Sequence, residues 1–330
     1  REGIMYIRSI KHLHLEITNR CNAACPSCPR TGPNTKKQLA DHMVTAGWKD
    51  LSLEDIKEIH KHTPYITRVN LCGNFGDPAA APDFFKIVEY FVDNKIRVII
   101  STNGGLRTPF LWASIAGPLV LAQFHIDGDE DTNHMYRVGT RFDKIMANAK
   151  GFIDAGGQAN WTFIPFAHNE HVIDKCEKIA NDMGFISFKV KKTYRVGNNN
   201  PGVGTEIELP SEKFMNEVVH KKTETEIRCK VKEDDELYIA CDGDIAPCCW
   251  VGSQLWRKKY SLSQIVYDAT LSTYFIDFDN NFRTNSLTNI INSYIERSDK
   301  YELSWEYRKL PMCNKNCGAN KWSDRYMVKT

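Results

Sequence analysis

Three cysteines near the N-terminus, Cys21, Cys25 and Cys28, have the spacing Cys-x3-Cys-x2-Cys. Three thiolates on one short loop can converge on a single metal centre. A structural zinc site normally takes four protein ligands, whereas three cysteines on an iron–sulfur cubane leave one iron open to another molecule. The pattern therefore favours a cubane with a reactive open iron. The alternatives are zinc and loop cysteines that bind no metal.

The last third of the chain carries a second group of cysteines. Its members are Cys229, Cys241, Cys248, Cys249, Cys313 and Cys317. The chain opens on a strand-like segment rather than the apolar region of a signal peptide, so we expect a cytoplasmic protein. In a reducing compartment, metal ligation or catalysis explains cysteines better than disulfides do.

Strand-like and helix-like segments alternate through the first 190 residues. The strand-like runs are 12–18, 68–71, 97–102, 119–127, 159–166 and 185–190, and the helical ones lie near 52–63, 82–94, 107–116, 142–156 and 169–183. Such alternation predicts a parallel sheet, and six repeats fit an α/β fold of the incomplete (β/α)6 TIM-like barrel type. Functional residues are then expected at the C-terminal ends of the strands.

The pattern changes near Arg195, where the turn-rich segment 197–202 follows. We therefore predict two domains, 1–196 for the barrel and 197–330 for a small α+β unit. The second domain is expected to hold a helix near 211–224 and a β-hairpin over 237–248, turning at Asp242 and Gly243.

Composition limits the class of protein. Of the 330 residues, 42 % are hydrophobic and 25 % charged, which is typical of a globular chain. Lysine and arginine exceed aspartate and glutamate by 43 − 41 = +2, so charge gives no support for nucleic-acid binding. No run of about 20 apolar residues indicates a membrane span.

The first cysteine motif, placed after the first strand of this series, resembles that of the radical S-adenosylmethionine (radical SAM) superfamily. The resemblance implies that Cys21, Cys25 and Cys28 hold a [4Fe-4S] cluster whose free iron chelates SAM. Reductive cleavage of SAM then gives a 5'-deoxyadenosyl radical that abstracts hydrogen from a substrate. One departure is Ser27, where the family commonly has an aromatic residue near the adenine.

Two later segments resemble the family's SAM-binding motifs. The turn 73–78 is similar to Gly-Gly-Glu-Pro, with Asp77 in place of glutamate, which implies that Gly76 and Asp77 help to receive the SAM ammonium. The segment 101–104 is similar to the one that meets the ribose and carboxylate, which implies roles for Ser101 and Asn103. Hydroxyl and amide groups can form both kinds of hydrogen bond.

A third resemblance follows the fourth strand, where His125 precedes Asp127 and Arg137 lies in the next loop. It matches the family's Ser-x-Asp-Gly and Tyr-Arg pattern, with histidine in place of serine, and implies that Asp127 and Arg137 belong to the SAM site. Arginine suits the methionine carboxylate because its planar fork bonds bidentately. His125 is a candidate catalytic residue, with a structural hydrogen-bonding role as the alternative.

The C-terminal cysteines resemble the SPASM/twitch extension, which implies one auxiliary [4Fe-4S] cluster of the twitch form. A two-residue hairpin turn would place Cys241 about 13 Å from Cys248 on the returning strand, too far for one cubane. The expected ligands are Cys229, Cys248, Cys313 and Cys317, with Cys241 as the reserve. Random cysteines or a structural zinc are the alternatives.

Cys249 directly follows an expected ligand and is the second candidate catalytic residue. A free thiol there could act as a base or donate a hydrogen atom to a substrate radical, as implied by related maturases and epimerases. Adjacent residues of a strand point to opposite faces, so on a strand Cys249 would face away from the cluster.

Together these motifs predict a radical SAM enzyme that acts on a peptide or protein substrate. A low-potential electron donor such as flavodoxin or ferredoxin is the expected partner. The alternatives are a radical dehydrogenase of a small-molecule alcohol or amine, an RNA-modifying radical SAM enzyme, and a non-catalytic metal-binding module.

Overall fold

The structure is a computed structural model. It describes residues 10–26, 28–31, 39–191, 207–208, 210–211, 214, 229, 233–261, 279–293, 313 and 317, and the backbone of 326–328. Ser27, the linker 197–202 and most of the helix expected near 211–224 lie outside these residues.

Nine strands form one sheet in the order β8-β7-β1-β2-β3-β4-β5-β6-β9. They are β1 (His12–Leu15), β2 (Arg68–Leu71), β3 (Arg97–Thr102), β4 (Val120–His125), β5 (Gln158–Phe163), β6 (Ser187–Lys191), β7 (Glu236–Ile239), β8 (Ile245–Ala246) and β9 (Tyr326–Val328). Strands β1 to β6 are parallel and lie in chain order, and β7 runs parallel to β1. The short strands β8 and β9 are antiparallel to their neighbours. The sheet stays open at β8 and β9, which confirms the incomplete barrel.

Among the α-helices are α1 (Asp41–Ala46), α2 (Leu53–His62), α3 (Phe84–Asp93), α4 (Pro109–Ser114), α5 (Asn133–Tyr136), α6 (Phe142–Asp154), α7 (Ile173–Met183) and α8 (Cys249–Tyr260). Helices α2, α3, α4, α6 and α7 cover one face of the sheet, where their apolar residues join the main core. Helix α8 packs against Tyr238 of β7 instead. The five predicted helices correspond to α2, α3, α4, α6 and α7. Helix α2 begins with a capping box, in which the Ser52 hydroxyl accepts from the backbone N–H of Asp55 and the Asp55 carboxylate accepts from that of Ser52.

The two faces of the sheet differ in chemistry. Side chains such as Leu15, Ile100, Phe124 and Trp161 pack against the helices in the main core. Because successive side chains of a strand point to opposite faces, the residues between them lie on the other side, which we call the inner face. Its strand residues include His12, His14, Asn70, Ser101, Gln123, His125, Asn160, Thr162, Ser187, Lys189, Lys191, Glu236 and Tyr238. This face is predominantly polar.

The predicted hairpin is present, but its details differ from the expectation. Its loop has three residues, since the backbone N–H of Ala240 donates to the Asp244 carbonyl at 2.8 Å and that of Gly243 donates to the Ala240 carbonyl at 3.0 Å. Gly243 has φ +94°, a conformation that favours glycine. Strand β8 ends at Ala246, so the placement of Cys248 on a returning strand was wrong.

Cys248 is the N-cap residue of α8, and Cys249 is the first residue of that helix. The expectation that these neighbours face opposite sides of a strand was therefore also wrong. The proposed domain boundary lies among residues 192–206, outside the described part of the chain, and the division stays a prediction. None of the helices described is long and apolar enough to cross a bilayer.

Candidate functional site

The first three cysteines lie together on the loop that follows β1. Cys21, Cys25 and Cys28 are free thiols that share one cluster of side chains with Tyr136 and Phe166. The backbone N–H of Cys28 donates to the Cys25 carbonyl at 3.0 Å, which closes a tight turn between these two residues. The predicted motif is thus a compact, thiol-rich pocket at the C-terminal end of a strand.

Hydrogen-bond donors surround these sulfur atoms. Asn103 Nδ2 lies 3.6 Å from Cys21 Sγ, and Arg137 Nη1 lies 3.9 Å from Cys25 Sγ. Burial raises the pKa of the Cys25 thiol to about 11, against the opposing effect of Arg137, and that of Cys21 to about 12. Both thiols therefore hold their protons at neutral pH unless a metal displaces them.

The turn 73–78 packs directly against the chain that leads into the cysteine loop. The backbone N–H of Asp77 donates to the Arg20 carbonyl at 2.8 Å. A Cβ on Gly76 would lie 1.9 Å from the Thr18 carbonyl oxygen. The close approach at Gly76 is thus made by the protein's own backbone, and its role towards SAM stays a prediction.

Asp77 is buried and its carboxylate is fully engaged by protein donors. It accepts from the Thr102 hydroxyl at 2.9 Å, from the backbone N–H of Asn103 at 2.7 Å and from that of Ala79 at 3.0 Å. Burial raises its pKa, while the bonds from Asn103 and Thr102 act against that rise. This geometry indicates that Asp77 positions Asn103 at the cysteine loop, whereas contact of Asp77 with an ammonium stays a prediction.

A buried ion pair borders the same pocket. Arg137 Nε donates to Asp127 Oδ2 at 2.6 Å, and Asp127 Oδ1 accepts from the backbone N–H of Ile164 at 2.7 Å. Asp127 has no exposed surface, and the Arg137 side chain is 15 % exposed. Burial would lower the pKa of Arg137, but the Asp127 carboxylate raises it above its ordinary value. Arg137 is thus a fixed cation beside Cys25, with guanidinium N–H groups left for an anion.

Ser101 lies on the inner face, where its hydroxyl donates to Gln123 Oε1 at 3.2 Å. His125 is half-buried on the same face, opposite Thr162 of β5 in the sheet register. Ser101 is paired with Gln123 on the neighbouring strand and lies two residues before Asn103 in the sequence. A contact between Ser101 and a ligand at the cysteine loop stays a prediction.

Part of the second cysteine group comes together at the start of α8. Cys248 and Cys313 pack in one cluster with Tyr238 and Val251. Burial, followed by the charges of Cys249, Cys313 and Cys229, raises the pKa of Cys248 well above its ordinary value. Cys317 is also buried.

Cys241 belongs to a different cluster, packed with Met43, Phe75 and Trp256. Cys241 and Cys248 therefore pack against different neighbours. The ligand set itself stays a prediction.

Cys249 lies beside the inner face. Burial lowers the pKa of His14, but the neighbouring Cys249 side chain acts against it and the pKa lies well above its ordinary value, and His14 Nε2 lies 2.8 Å from the Cys72 carbonyl oxygen. Asn74 Nδ2 donates to the Cys249 carbonyl oxygen at 3.0 Å. The backbone of Cys249 is thus tied to the turn after β2, and its side chain lies near His14 of β1.

Sequence reasoning missed the residues that make this connection. Glu16 is buried, and its carboxylate accepts from the Tyr238 hydroxyl and from the backbone N–H of Phe75, both at 2.6 Å. Phe75 in turn stacks on Trp256 of α8, with ring centroids 5.3 Å apart. The alternating polar residues His12, His14 and Glu16 were the available signal, because an apolar-polar alternation indicates a strand with one face in the core and a second face of different chemistry.

Comparisons with known proteins agree with this geometry. The model of the radical SAM superfamily matches residues 15–182. The AdoMet-dependent heme synthase of Methanosarcina barkeri is 26 % identical over 178 residues, which are 53 % of this chain and 48 % of that protein. The mycofactocin maturase MftC of Mycolicibacterium smegmatis is 29 % identical over 144 residues, 43 % of this chain and 34 % of that protein. The chain thus spans about a third to a half of the length of these relatives.

Solved structures show the same fold. Streptococcus suis SuiB has a TM-score of 0.55 at 14 % identity and covers 86 % of this chain and 66 % of its own. Native anSMEcpe with bound AdoMet and the Cp18Cys peptide has a TM-score of 0.52 at 14 % identity, covering 93 % of this chain and 88 % of its own. The family model spans about half of the chain, and the chain belongs to the radical SAM superfamily of enzymes.

Proposed function

We propose that this enzyme modifies a peptide or protein by radical SAM chemistry. The observation that carries the proposal is the pocket at the C-terminal edge of the sheet, where Cys21, Cys25 and Cys28 lie beside Asn103 and Arg137. The peptide substrate is supported by relatives, since one is named a maturase and SuiB has been solved with its precursor peptide SuiA. A low-potential donor such as flavodoxin or ferredoxin would supply the electron.

The family implies a [4Fe-4S] cluster and SAM, and the residues present fit both. Three clustered free thiols supply the metal ligands. Hydrogen-bond donors, the Asn103 amide and the Arg137 guanidinium, lie at two of the sulfur atoms, which suits a negatively charged iron–sulfur centre. Cys21, Cys25 and Cys28 would hold the cluster. When bound there, the cofactors supply the 5'-deoxyadenosyl radical that removes a hydrogen atom from the substrate.

The protein's own groups prepare this pocket for SAM. Arg137, held by Asp127, presents its remaining guanidinium N–H groups to the methionine carboxylate. Asp77 fixes the turn 73–78 to the end of β3, and thereby holds Asn103 in place. These bonds are made between groups of the protein itself, so they would hold Arg137 and Asn103 in place for the ligand.

We further propose an auxiliary [4Fe-4S] cluster on Cys229, Cys248, Cys313 and Cys317. Cys248 and Cys313 pack in one cluster, and Cys229 is close enough to Cys248 to raise its pKa. Cys317 is buried. Four protein thiolates would close such a cluster to substrate, which favours electron transfer or structural support.

The first test is anaerobic reconstitution followed by reduction in the presence of SAM. We expect 5'-deoxyadenosine and about eight irons per chain, since each of two cubanes holds four. A preparation with about four irons that still makes 5'-deoxyadenosine would contradict the auxiliary cluster alone. A preparation that binds iron and SAM but releases no 5'-deoxyadenosine would contradict the radical reaction.

Cys249 is proposed to return a hydrogen atom to the substrate radical. Its S–H bond breaks, a C–H bond forms on the substrate, and the unpaired electron moves to sulfur. One electron from the low-potential donor and one proton from solvent then restore the thiol. The bond from Asn74 to the Cys249 carbonyl and the contact with His14 support this position beside the inner face.

Cys249→Ala is expected to keep 5'-deoxyadenosine formation but to lose transfer of deuterium from D2O into the product, as measured by mass spectrometry. The radical is still generated, but the group that quenches it is gone. The matched control is Cys176→Ala, which removes a buried thiol on α7 within the helix-packed core. Undiminished deuterium incorporation in Cys249→Ala would assign the hydrogen donor elsewhere.

A further inference from the structure

Three inner-face residues on three neighbouring strands are in register with one another and form a row across the sheet. His125 of β4 lies opposite Thr162 of β5, and Thr162 lies opposite Lys189 of β6. Their chain neighbours Phe124, Phe163 and Val190 are packed in the helix-side core, so the three side chains share the inner face.

The same row reaches the SAM pocket. Thr102 of β3 is in register with Phe124 of β4. The residues that follow them in the sequence are Asn103 and His125, which are therefore neighbours at the ends of these two strands. Strands are spaced about 4.8 Å apart, so Lys189 lies about 14 Å along the sheet from Asn103. A substrate lying on this row would have one end at the cofactor and the other at Lys189.

On the described inner face, Arg68 and Arg97 lie at the N-terminal ends of β2 and β3, whereas the lysines lie on β6. Lys189 and Lys191 occupy β6, and Lys191 is close enough to Asp127 to lower its pKa in opposition to burial. Asp127 is already paired with Arg137. The remaining carboxylates of this face, Glu16 and Glu236, lie on the β1–β7 side, where Tyr238 and Asn70 donate to them.

We propose that the row His125, Thr162 and Lys189 binds a carboxylate of the substrate. An ammonium, a hydroxyl and an imidazole can together donate to the oxygens of one anion. The inference rests on the proposed function. It narrows the substrate to a peptide that carries a carboxylate about 14 Å or less from the reacting carbon. That carboxylate is either an acidic side chain or the C-terminus of the peptide. The two other basic residues of this segment, Lys192 and Arg195, lie outside the described residues.

The test is selection from pools of random octapeptides on immobilised, reconstituted enzyme with SAM, read by mass spectrometry. The wild type is expected to enrich Asp or Glu at a fixed position about tenfold, as one charge-assisted hydrogen bond allows. Lys189→Glu is expected to lose this preference and to enrich Lys or Arg there. Lys189→Gln removes the positive charge without adding a negative one, and it replaces Lys189→Glu in this test if the glutamate variant fails to fold.

The matched control is Lys178→Glu, on an α7 lysine whose side chain is 75 % exposed, and it should keep the wild-type preference. Enrichment confined to peptides with a free C-terminus, and absent from amidated ones, would identify the C-terminal carboxylate as the bound group. Peptides retained without an acidic preference, or a preference unchanged in Lys189→Glu, would overturn the inference alone. An enzyme that forms 5'-deoxyadenosine but retains no peptide would overturn the peptide substrate as well.

Discussion

Cys25→Ser is expected to reduce 5'-deoxyadenosine formation to background. A serine hydroxyl does not ionise as a thiol does, so the cysteine loop would lose one of its three proposed soft ligands. Removing even an outer-shell partner of a metal typically costs 10–100-fold, so we expect a loss of at least about a hundredfold in activity. Iron should fall to about four per chain if the auxiliary cluster is present, because only the first site is damaged.

The fold should survive this substitution, which makes the result interpretable. Cys25 is 6 % exposed and replacing sulfur by oxygen changes little volume. The circular dichroism of Cys25→Ser should therefore match that of the wild type, and Cys176→Ala should keep both iron and activity. Retention of the iron–sulfur absorption band and of SAM cleavage in Cys25→Ser would remove Cys25 from the ligand set.

The barrel strands could be predicted closely because their signals are local. The observed β2 and β3 span the predicted residues 68–71 and 97–102. Each lies in a short run with buried residues such as Val69 and Ile100 alternating with polar ones. Ser52 and Asp55 likewise marked the start of α2 through a local capping pattern.

The connection between the two cysteine groups could not be predicted in the same way, since it depends on contacts distant in sequence. Strand β7 extends the sheet beside β1, more than 220 residues earlier in the chain, and no local pattern encodes that pairing. Helix α8 packs so closely on β7 that a Cβ at Gly252 would lie 2.2 Å from the Tyr238 ring. In the sequence, Gly252 weakens the helical pattern, yet in the fold it permits this contact.

The same distinction applies to the candidate site. The spacing of Cys21, Cys25 and Cys28 indicated a shared centre directly. By contrast, the bonds of Asp77 to Thr102 and Asn103 depend on how the ends of β2 and β3 meet. A residue type and a motif can therefore mark Asp77 as a candidate site residue without identifying which groups it contacts.

Gly76→Ala is expected to impair SAM binding and to lower the stability of the fold. A Cβ at this position would meet backbone atoms only, 1.9 Å from the Thr18 carbonyl oxygen and 3.0 Å from the Asn19 Cα. Neither can move aside as a flexible side chain would, so the turn and the cysteine loop must separate. Overpacking of this kind typically costs about 1–3 kcal/mol.

The separation acts on the two segments that we propose bind SAM together, since the backbone N–H of Asp77 donates to the Arg20 carbonyl directly before Cys21. We therefore expect SAM affinity, measured by equilibrium dialysis on the reconstituted protein, to fall at least about tenfold, because every 1.4 kcal/mol is tenfold. Gly117→Ala is the matched control, since a Cβ there would meet no atom within 4 Å. Both variants add one methyl group and remove the same backbone freedom from the unfolded chain, so the difference between them isolates the contact at Thr18. Equal SAM affinity in the two variants would show that the turn can shift without disturbing the pocket, and the packing of residues 73–78 against the cysteine loop would then have no part in binding SAM.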